Sequence, residues 1–216
     1  MRLIVAGAGN AGLKVLQIIT DSHDAGDREY EIAAFIDDSL EKGSDFYGYP
    51  VIGRMSDLDE VEETVGPLET LGLVSAIGEP NIRVKVLDRI AHRFKIFPNM
   101  VHPSAQVSGF ADLGKGNVIC QNAVVQPEAS IGDFNVIKAG AAVGSYSRIT
   151  EYCTMGTNSV TQCRATLLPG SSMGGGALII EDVTLGQRSH VGPNSLLTRD
   201  LDSDTTVLGV PARRLR

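Results

Sequence analysis

The sequence predicts a two-part chain, a small α/β domain with a parallel sheet followed by a solenoid of short parallel strands. Three observations predict it. From Val107, stepping by six reaches Leu113, Ile119, Val125, Ile131, Ile137, Val143, Ile149, Met155, Thr161, Leu167, Met173, Ile179, Leu185, Val191 and Leu197. Only Thr161 breaks this apolar column, and an ordinary sheet, with turns at uneven intervals, does not hold so regular a step. Earlier in the chain the apolar run over residues 2 to 6 ends in Gly7-Ala8-Gly9-Asn10-Ala11-Gly12 and opens a helical pattern. Past residue 98 almost no helical pattern remains.

The first part, residues 1–98, reads as a Rossmann-like unit. Its first strand and glycine turn lead into a helix carrying Leu13, Val15, Leu16, Ile18 and Ile19, and residues 21 to 27 read as polar loop. A second strand over 31 to 36 ends in Asp37-Asp38, where a dinucleotide-type half-domain carries its acidic residue. Tyr49-Pro50-Val51-Ile52-Gly53 is a turn and short strand, and residues 57 to 65 read helical. Residues 71 to 77 form a buried strand ending in Gly78-Glu79, and Asn81 is expected to cap a helix with Val84, Val86, Leu87 and Ile90 inward. A last short strand over 94 to 97 and Pro98 close the domain. The bland alternative is a tight turn in an α/β domain that binds nothing.

The second part, residues 99–216, follows from the six-step. Three six-residue faces make an 18-residue coil, so residues 105 to 199 supply roughly five triangular coils. Small residues two places before the column, such as Ala105, Ala123 and Cys153, let the chain turn inward at the corners. The frequent glycine just after it, as at Gly114, Gly132 and Gly144, accepts tight backbone geometry. A charge at Ile131 or Ile149 is expected to cost on the order of several kcal/mol. Thr161 is tolerable if its hydroxyl meets a backbone carbonyl. The register runs unbroken through Met173-Gly174-Gly175-Gly176, so no long loop is inserted. Flat faces with no helices to cover them argue for an oligomer.

Composition narrows the function. A net charge of -7 without lysine or arginine clusters argues against a nucleic-acid partner. Arg213, Arg214 and Arg216 make a local basic spot at the end, sized for a phosphate or simply solvated. Cys120, Cys153 and Cys163 show neither metal-ligand spacing nor a disulfide framework, and no metal is expected. No signal peptide and no membrane-length apolar run is read, so the expected location is cytoplasmic.

Motifs spread over both parts carry a resemblance. They are the glycine turn with Val5-Ala6 before it, Phe35-Ile36-Asp37-Asp38, Gly48-Tyr49-Pro50-Val51-Ile52-Gly53, His102-Pro103-Ser104-Ala105, Ile131-Gly132-Asp133-Phe134 and Leu208-Gly209-Val210-Pro211-Ala212-Arg213. With them the chain resembles the bacterial sugar O- and N-acyltransferases, including the sialic-acid O-acetyltransferase and amino-sugar-nucleotide acetyltransferase groups. The resemblance implies a left-handed turn for the β-helix, a homotrimer, acetyl-CoA as acyl donor, and a sugar nucleotide or amino sugar of surface-glycan biosynthesis as acceptor. It implies that Gly7, Gly9 and Gly12 contact phosphates and that Asp37 meets base or ribose. It also implies that main-chain groups near Gly174 and Gly192, with Arg213, lie along the CoA.

The reaction needs a base for the attacking amine or hydroxyl and a donor, usually a backbone N–H, for the oxyanion. Members of the family use a histidine followed by an acid. In the stretch matched to it, from Ile137-Lys138-Ala139-Gly140 to Gly144-Ser145-Tyr146, the histidine position falls on Ser145, which is no base at neutral pH without a partner. Lys138 and Tyr146 remain candidates for a substrate phosphate or hydroxyl. Glu151, expected to reach the same groove as Ser145, and His190, expected to face outward beside Val191, are the other candidate catalytic residues. His102, at the start of the first coil, is a candidate ligand contact, while His23 and His92 read as structural or solvated. Two further accounts compete with transfer: a binding relative that has lost the chemistry, and a metal-centred hydratase, which would require histidines converging from neighbouring coils.

Overall fold

The computed structural model describes residues 1–215, so Arg216 of the basic end lies outside the described residues. The chain forms two compact units that divide at Pro103 and Ser104, whereas the sequence reading divides it after Pro98.

The first unit has a five-stranded sheet. Its strands are β1 (Arg2–Ala6), β2 (Glu31–Ile36), β3 (Asp45–Phe46), β4 (Tyr49–Gly53) and β5 (Gly72–Ser75), in the order β3-β4-β2-β1-β5. All neighbours run parallel except the β3–β4 hairpin. Leu3, Ile4, Val5, Phe35, Leu73 and Val74 are fully or almost fully buried, as expected for a sheet covered on both faces. Three helices accompany it: α1 (Asn10–Asp24), α2 (Leu58–Val65) and α3 (Pro80–Ile90). Because β1 lies between β2 and β5, the strand order reverses there, which opens a crevice at the carboxyl ends of these strands.

Three local readings change. Residues 21 to 24 continue α1 rather than forming a loop, because Asp21 accepts a hydrogen bond from His102 and His23 bonds the Tyr30 carbonyl oxygen. Glu79, not Asn81, is the N-cap of α3, since Pro80 already occupies the first helical position. The strand expected over 94 to 97 is a single bridge, Gly72 with Ile96.

The second unit is a parallel β-helix with three faces. The first face stacks Gln106–Val107, Val124–Val125, Ala142–Val143, Val160–Thr161, Leu178–Ile179 and Leu196–Leu197. The second stacks Asp112–Leu113 through Thr184–Leu185, and the third runs from Val118–Ile119 through His190–Val191 to Thr206–Leu208. Partners stand 18 residues apart, as in Ile131 with Ile149 and Met155 with Met173. The six-step column points inward: Ile119, Ile137 and Ile149 are completely buried. Thr161 is buried too, but its hydroxyl oxygen accepts the Gly144 N–H at 3.2 Å instead of meeting a carbonyl.

Two corner features differ from the sequence reading. The glycine after the column residue serves close approach between coils: a Cβ at Gly144 would lie 2.6 Å from the Gln162 carbonyl carbon. The left-handed residue comes two places later and need not be Gly or Asn, since Phe134, Tyr146, Tyr152 and Arg164 all have φ between 55° and 60°. The coil ladder holds them there, for example through the Arg164 N–H donating to the Ser145 carbonyl at 3.0 Å. Inside the second edge, the Asn135 N–H donates to Asn117 Oδ1 and the Cys153 N–H to Asn135 Oδ1, at 2.8 and 2.7 Å. Cys153 is therefore one rung of a buried polar ladder, not only a small apolar filler.

Candidate functional site

In the first unit the three glycines have separate duties. Gly7 has φ of 111°, and a Cβ there would sit 2.6 Å from the Ala76 carbonyl oxygen, where the turns after β1 and β5 touch. At Gly12 a Cβ would sit 2.5 Å from the Gly7 carbonyl oxygen, so this glycine lets α1 lie against its own turn. Gly9 alone faces open space. It is the N-cap of the 15-residue α1, with no side-chain cap bond and no acidic residue in the first turn. The opening amides of a helix lack intrahelical partners and carry the positive end of its dipole, which suits an anion. Asp37 stands beside them: its Oδ2 accepts the Ala8 N–H at 2.7 Å and its Oδ1 the Ser39 N–H at 2.8 Å. A carboxylate so fixed retains lone pairs for donors such as ribose hydroxyls.

His102 is 7% exposed and turned toward α1, where its Nε2 donates to Asp21 Oδ2 at 2.7 Å. One ring nitrogen is thus engaged by α1, and Asp21 is a partner absent from the sequence reading.

In the β-helix, the candidates fall on separate edges. Ser145 and Tyr146 belong to the edge after the first face, where Ser145 Oγ lies 3.5 Å from Gln126 Oε1, a neutral amide, and Tyr146 is exposed. Exposed Cys163 lies directly below Ser145, one coil on. Glu151 belongs to the edge after the second face, so the shared groove expected for Ser145 and Glu151 does not exist within one chain. The reason is geometric: six residues advance the chain by one whole face. Lys138 likewise stands on the third edge, in register with Gly174 and Gly192, away from Tyr146. Both glycine N–H groups are used by the ladder, donating to Val191 and Val207 carbonyls at 2.7 and 2.8 Å. A Cβ at Gly174 would sit 2.5 Å from Pro193 N, so coil stacking by itself accounts for glycine there.

His190 occupies the outward row of the third face, half-buried, with Nδ1 2.9 Å from Ser172 Oγ. Ser172 pairs with it across adjacent strands, and stepping back 18 residues from His190 would have found it. Arg213 lines a cavity of about 240 Å³ at the carboxyl end, together with Arg199, Arg214, Leu201 and Val207. Arg214 is engaged by Asp202. No group of three or more His, Cys, Asp or Glu side chains among the described residues is arranged to hold a metal, and no helix there is long and apolar enough to cross a membrane.

Residues 2–90 match the family model of the PglD N-terminal domain. The chain is 28% identical over 167 residues to a serine acetyltransferase of Synechococcus elongatus, covering 68% of this chain and 62% of the relative. A serine acetyltransferase of Synechocystis is 27% identical, covering 62% and 55%. The chain thus spans less than two thirds of these relatives' length. Among solved structures, a histidine-to-asparagine variant of the perosamine N-acetyltransferase of Caulobacter crescentus, in complex with CoA and GDP-perosamine, superposes with a TM-score of 0.89. The identity is 26%, over 100% of this chain and 97% of that one. The acetyltransferase domain of PglB from Neisseria gonorrhoeae, in complex with acetyl coenzyme A, gives a TM-score of 0.86 at 28% identity, over 99% and 98% of the chains. Along its whole length the chain is thus similar to sugar acetyltransferases that join a small α/β domain to a left-handed parallel β-helix of hexapeptide repeats, and it shares that fold.

Proposed function

We propose that this chain transfers an acetyl group from acetyl-CoA to the amino group of a nucleotide-linked sugar in surface-glycan biosynthesis. The observation that carries the reading is the whole-chain likeness to the perosamine N-acetyltransferase, in complex with CoA and GDP-perosamine. The nucleotide's anionic part sits at the open Gly9–Asn10–Ala11 end of α1, with Asp37 toward its ribose or base; Gly7 and Gly12 shape the turn. The donor lies along the third edge past Gly174 and Gly192, with Lys138 and Arg213 as cations for its phosphates.

In the chemical step the sugar amine attacks the thioester carbonyl carbon, the C–S bond breaks, and the amine's proton leaves. The Ser145 hydroxyl meets the neutral Gln126 amide, and Glu151 is an exposed carboxylate, a weaker base than an imidazole. His190 is the candidate whose imidazole is oriented by a partner, so it is assigned as the proton acceptor. When Nδ1–H donates to Ser172 Oγ, Nε2 is the basic atom.

The assembly is a homotrimer built on the first face. Its outward row is Gln106, Val124, Ala142, Val160, Leu178 and Leu196, apolar after the first position, whereas the second face shows Asp112, Ser130, Arg148, Thr166 and Thr184. A run of five apolar residues along an outward row suits a shared interface. The location is cytoplasmic, where nucleotide sugars and CoA are both at hand.

A thiol-release assay with acetyl-CoA and a panel of UDP-, GDP- and dTDP-linked amino sugars tests the reading; release with one acceptor class is the expected result. A serine bonded to a neutral amide, where the resemblance implies a histidine, favours a second reading, a sugar-nucleotide-binding relative without transfer chemistry. Calorimetric binding of nucleotide sugar and CoA with no thiol release would select it.

A further inference from the structure

The buried face of α3 consists of Pro80, Arg83, Val86, Leu87 and Ile90, so an arginine occupies a position whose helical register asks for an apolar residue. Arg83 is 1% exposed. Its Nη1 donates to the carbonyl oxygens of Ile77 at 2.6 Å and Gly78 at 3.3 Å, in the turn that follows β5. Burying a guanidinium is costly, and a leucine would fill the position at lower cost, so packing does not explain the residue.

The same turn touches the glycine turn. Ala76 is the residue whose carbonyl oxygen a Cβ at Gly7 would strike, and Ile77 Cγ1 lies 3.5 Å from that point. The clamped carbonyls therefore begin one peptide beyond the contact between the two turns at the β1–β5 crevice. In a planar trans peptide the C=O and the following N–H point in opposite directions. Drawing the Ile77 and Gly78 carbonyls inward to Arg83 thus turns the N–H groups of Gly78 and Glu79 outward. Outward N–H groups on successive residues form a concavity that favours an anion.

We propose that Arg83 is a positioning residue for the nucleotide's diphosphate, clamping the turn after β5 so that the Gly78 and Glu79 N–H groups face the open end of α1 across the crevice. This rests on the reading above that the first unit holds a nucleotide. It assigns a second wall to that site, distinct from the glycine turn. Both carbonyls are held by one nitrogen, Nη1, of a rigid planar group, so its direction matters and not the charge alone: a lysine keeps the charge but carries it on a flexible stem with no preset direction.

The test is calorimetric titration of UDP and GDP, and of uridine and guanosine as phosphate-free controls, into the full-length wild type, Arg83→Lys and Arg83→Met. Thermal unfolding is followed in parallel. The expected result is a loss of diphosphate affinity of about tenfold in Arg83→Lys, the scale of one lost charge-assisted contact, with nucleoside affinity unchanged. If Arg83→Met does not fold, Arg83→Lys decides the outcome. Wild-type diphosphate affinity in Arg83→Lys, or equal losses for diphosphates and nucleosides, overturns the role of Arg83 and leaves the nucleotide site standing. Failure of the wild type to bind any of the four overturns both.

Discussion

Ser172 and His190 face each other across neighbouring strands of the third face, with Ser172 Oγ 2.9 Å from His190 Nδ1. Both are half-buried and both point away from the core, on the strands that lead into Gly174 and Gly192. A ring held at one nitrogen has a defined direction for the other, which is what a general base needs.

Replacing His190 with Asn is expected to lower kcat for acetyl transfer by roughly 10²–10⁴, the usual worth of general-base catalysis, with little change in KM for acetyl-CoA. Ser172→Ala, which frees the ring without removing it, is expected to cost about tenfold or less. Ser145→Ala is expected to stay near wild type. Steady-state thiol release measures all three, and an inactive Ser145→Ala beside an active His190→Asn would reverse the assignment.

The glycines of the first turn are expected to separate by readout. Gly7→Ala and Gly12→Ala place a Cβ 2.6 and 2.5 Å from backbone oxygens and are expected to cost about 1–3 kcal/mol each in urea unfolding. Gly9→Ala points into open space and should leave stability within about 0.5 kcal/mol while weakening nucleotide-sugar affinity. Equal stability losses at all three positions would contradict the division of labour.

Leu178→Glu puts a charge in the middle of the outward row of the first face, between Val160 and Leu196. Light scattering is expected to show smaller particles with an unchanged circular dichroism spectrum. A particle mass equal to wild type would remove the first face as the interface.

The ion pairs on the coil edges predict an acid dependence. Hydrogen bonds from Arg164 and Arg188 hold the Asp182 and Asp204 carboxyls below the ordinary carboxylate range near 3.8. The folded state therefore gives up these protons more readily than the unfolded chain. The stabilisation is complete above the unfolded carboxylate range and disappears as the pH falls through the lower folded values. These groups are solvent-exposed, so the effect is small and screened by salt. The double variant Arg164→Gln/Arg188→Gln should show a lower urea midpoint than wild type near about pH 6 and none near about pH 2, the gap narrowing in 1 M salt. A gap that widens toward acid would contradict the sign.

Much of this was legible in the chain because burial leaves a local imprint. The step that places Ile119, Ile137 and Ile149 inside is written in consecutive residues, and so is the order of strand, glycine turn, helix and acid that fixes Asp37 beside Ala8. Errors arose where a residue's role depends on a neighbour in the next coil. Glu151 looked close to Ser145 because six residues is a short sequence distance, yet six residues is one face of the prism. Asp21 read as loop because its partner, His102, lies far along the chain.

The sequence by itself determined which side chains leave water: a six-residue period of apolar residues has few ways to be buried, and a coil of three flat faces is one. Only the tertiary structure decided who meets whom. Stacking at 18 residues brings Ser172 to His190 and parts Ser145 from Glu151. Packing of α3 against the sheet turns Arg83 away from solvent onto the Ile77 and Gly78 carbonyls. Periodicity records a preference for the interior, whereas a contact is a distance between residues that the chain brings together only once it has folded.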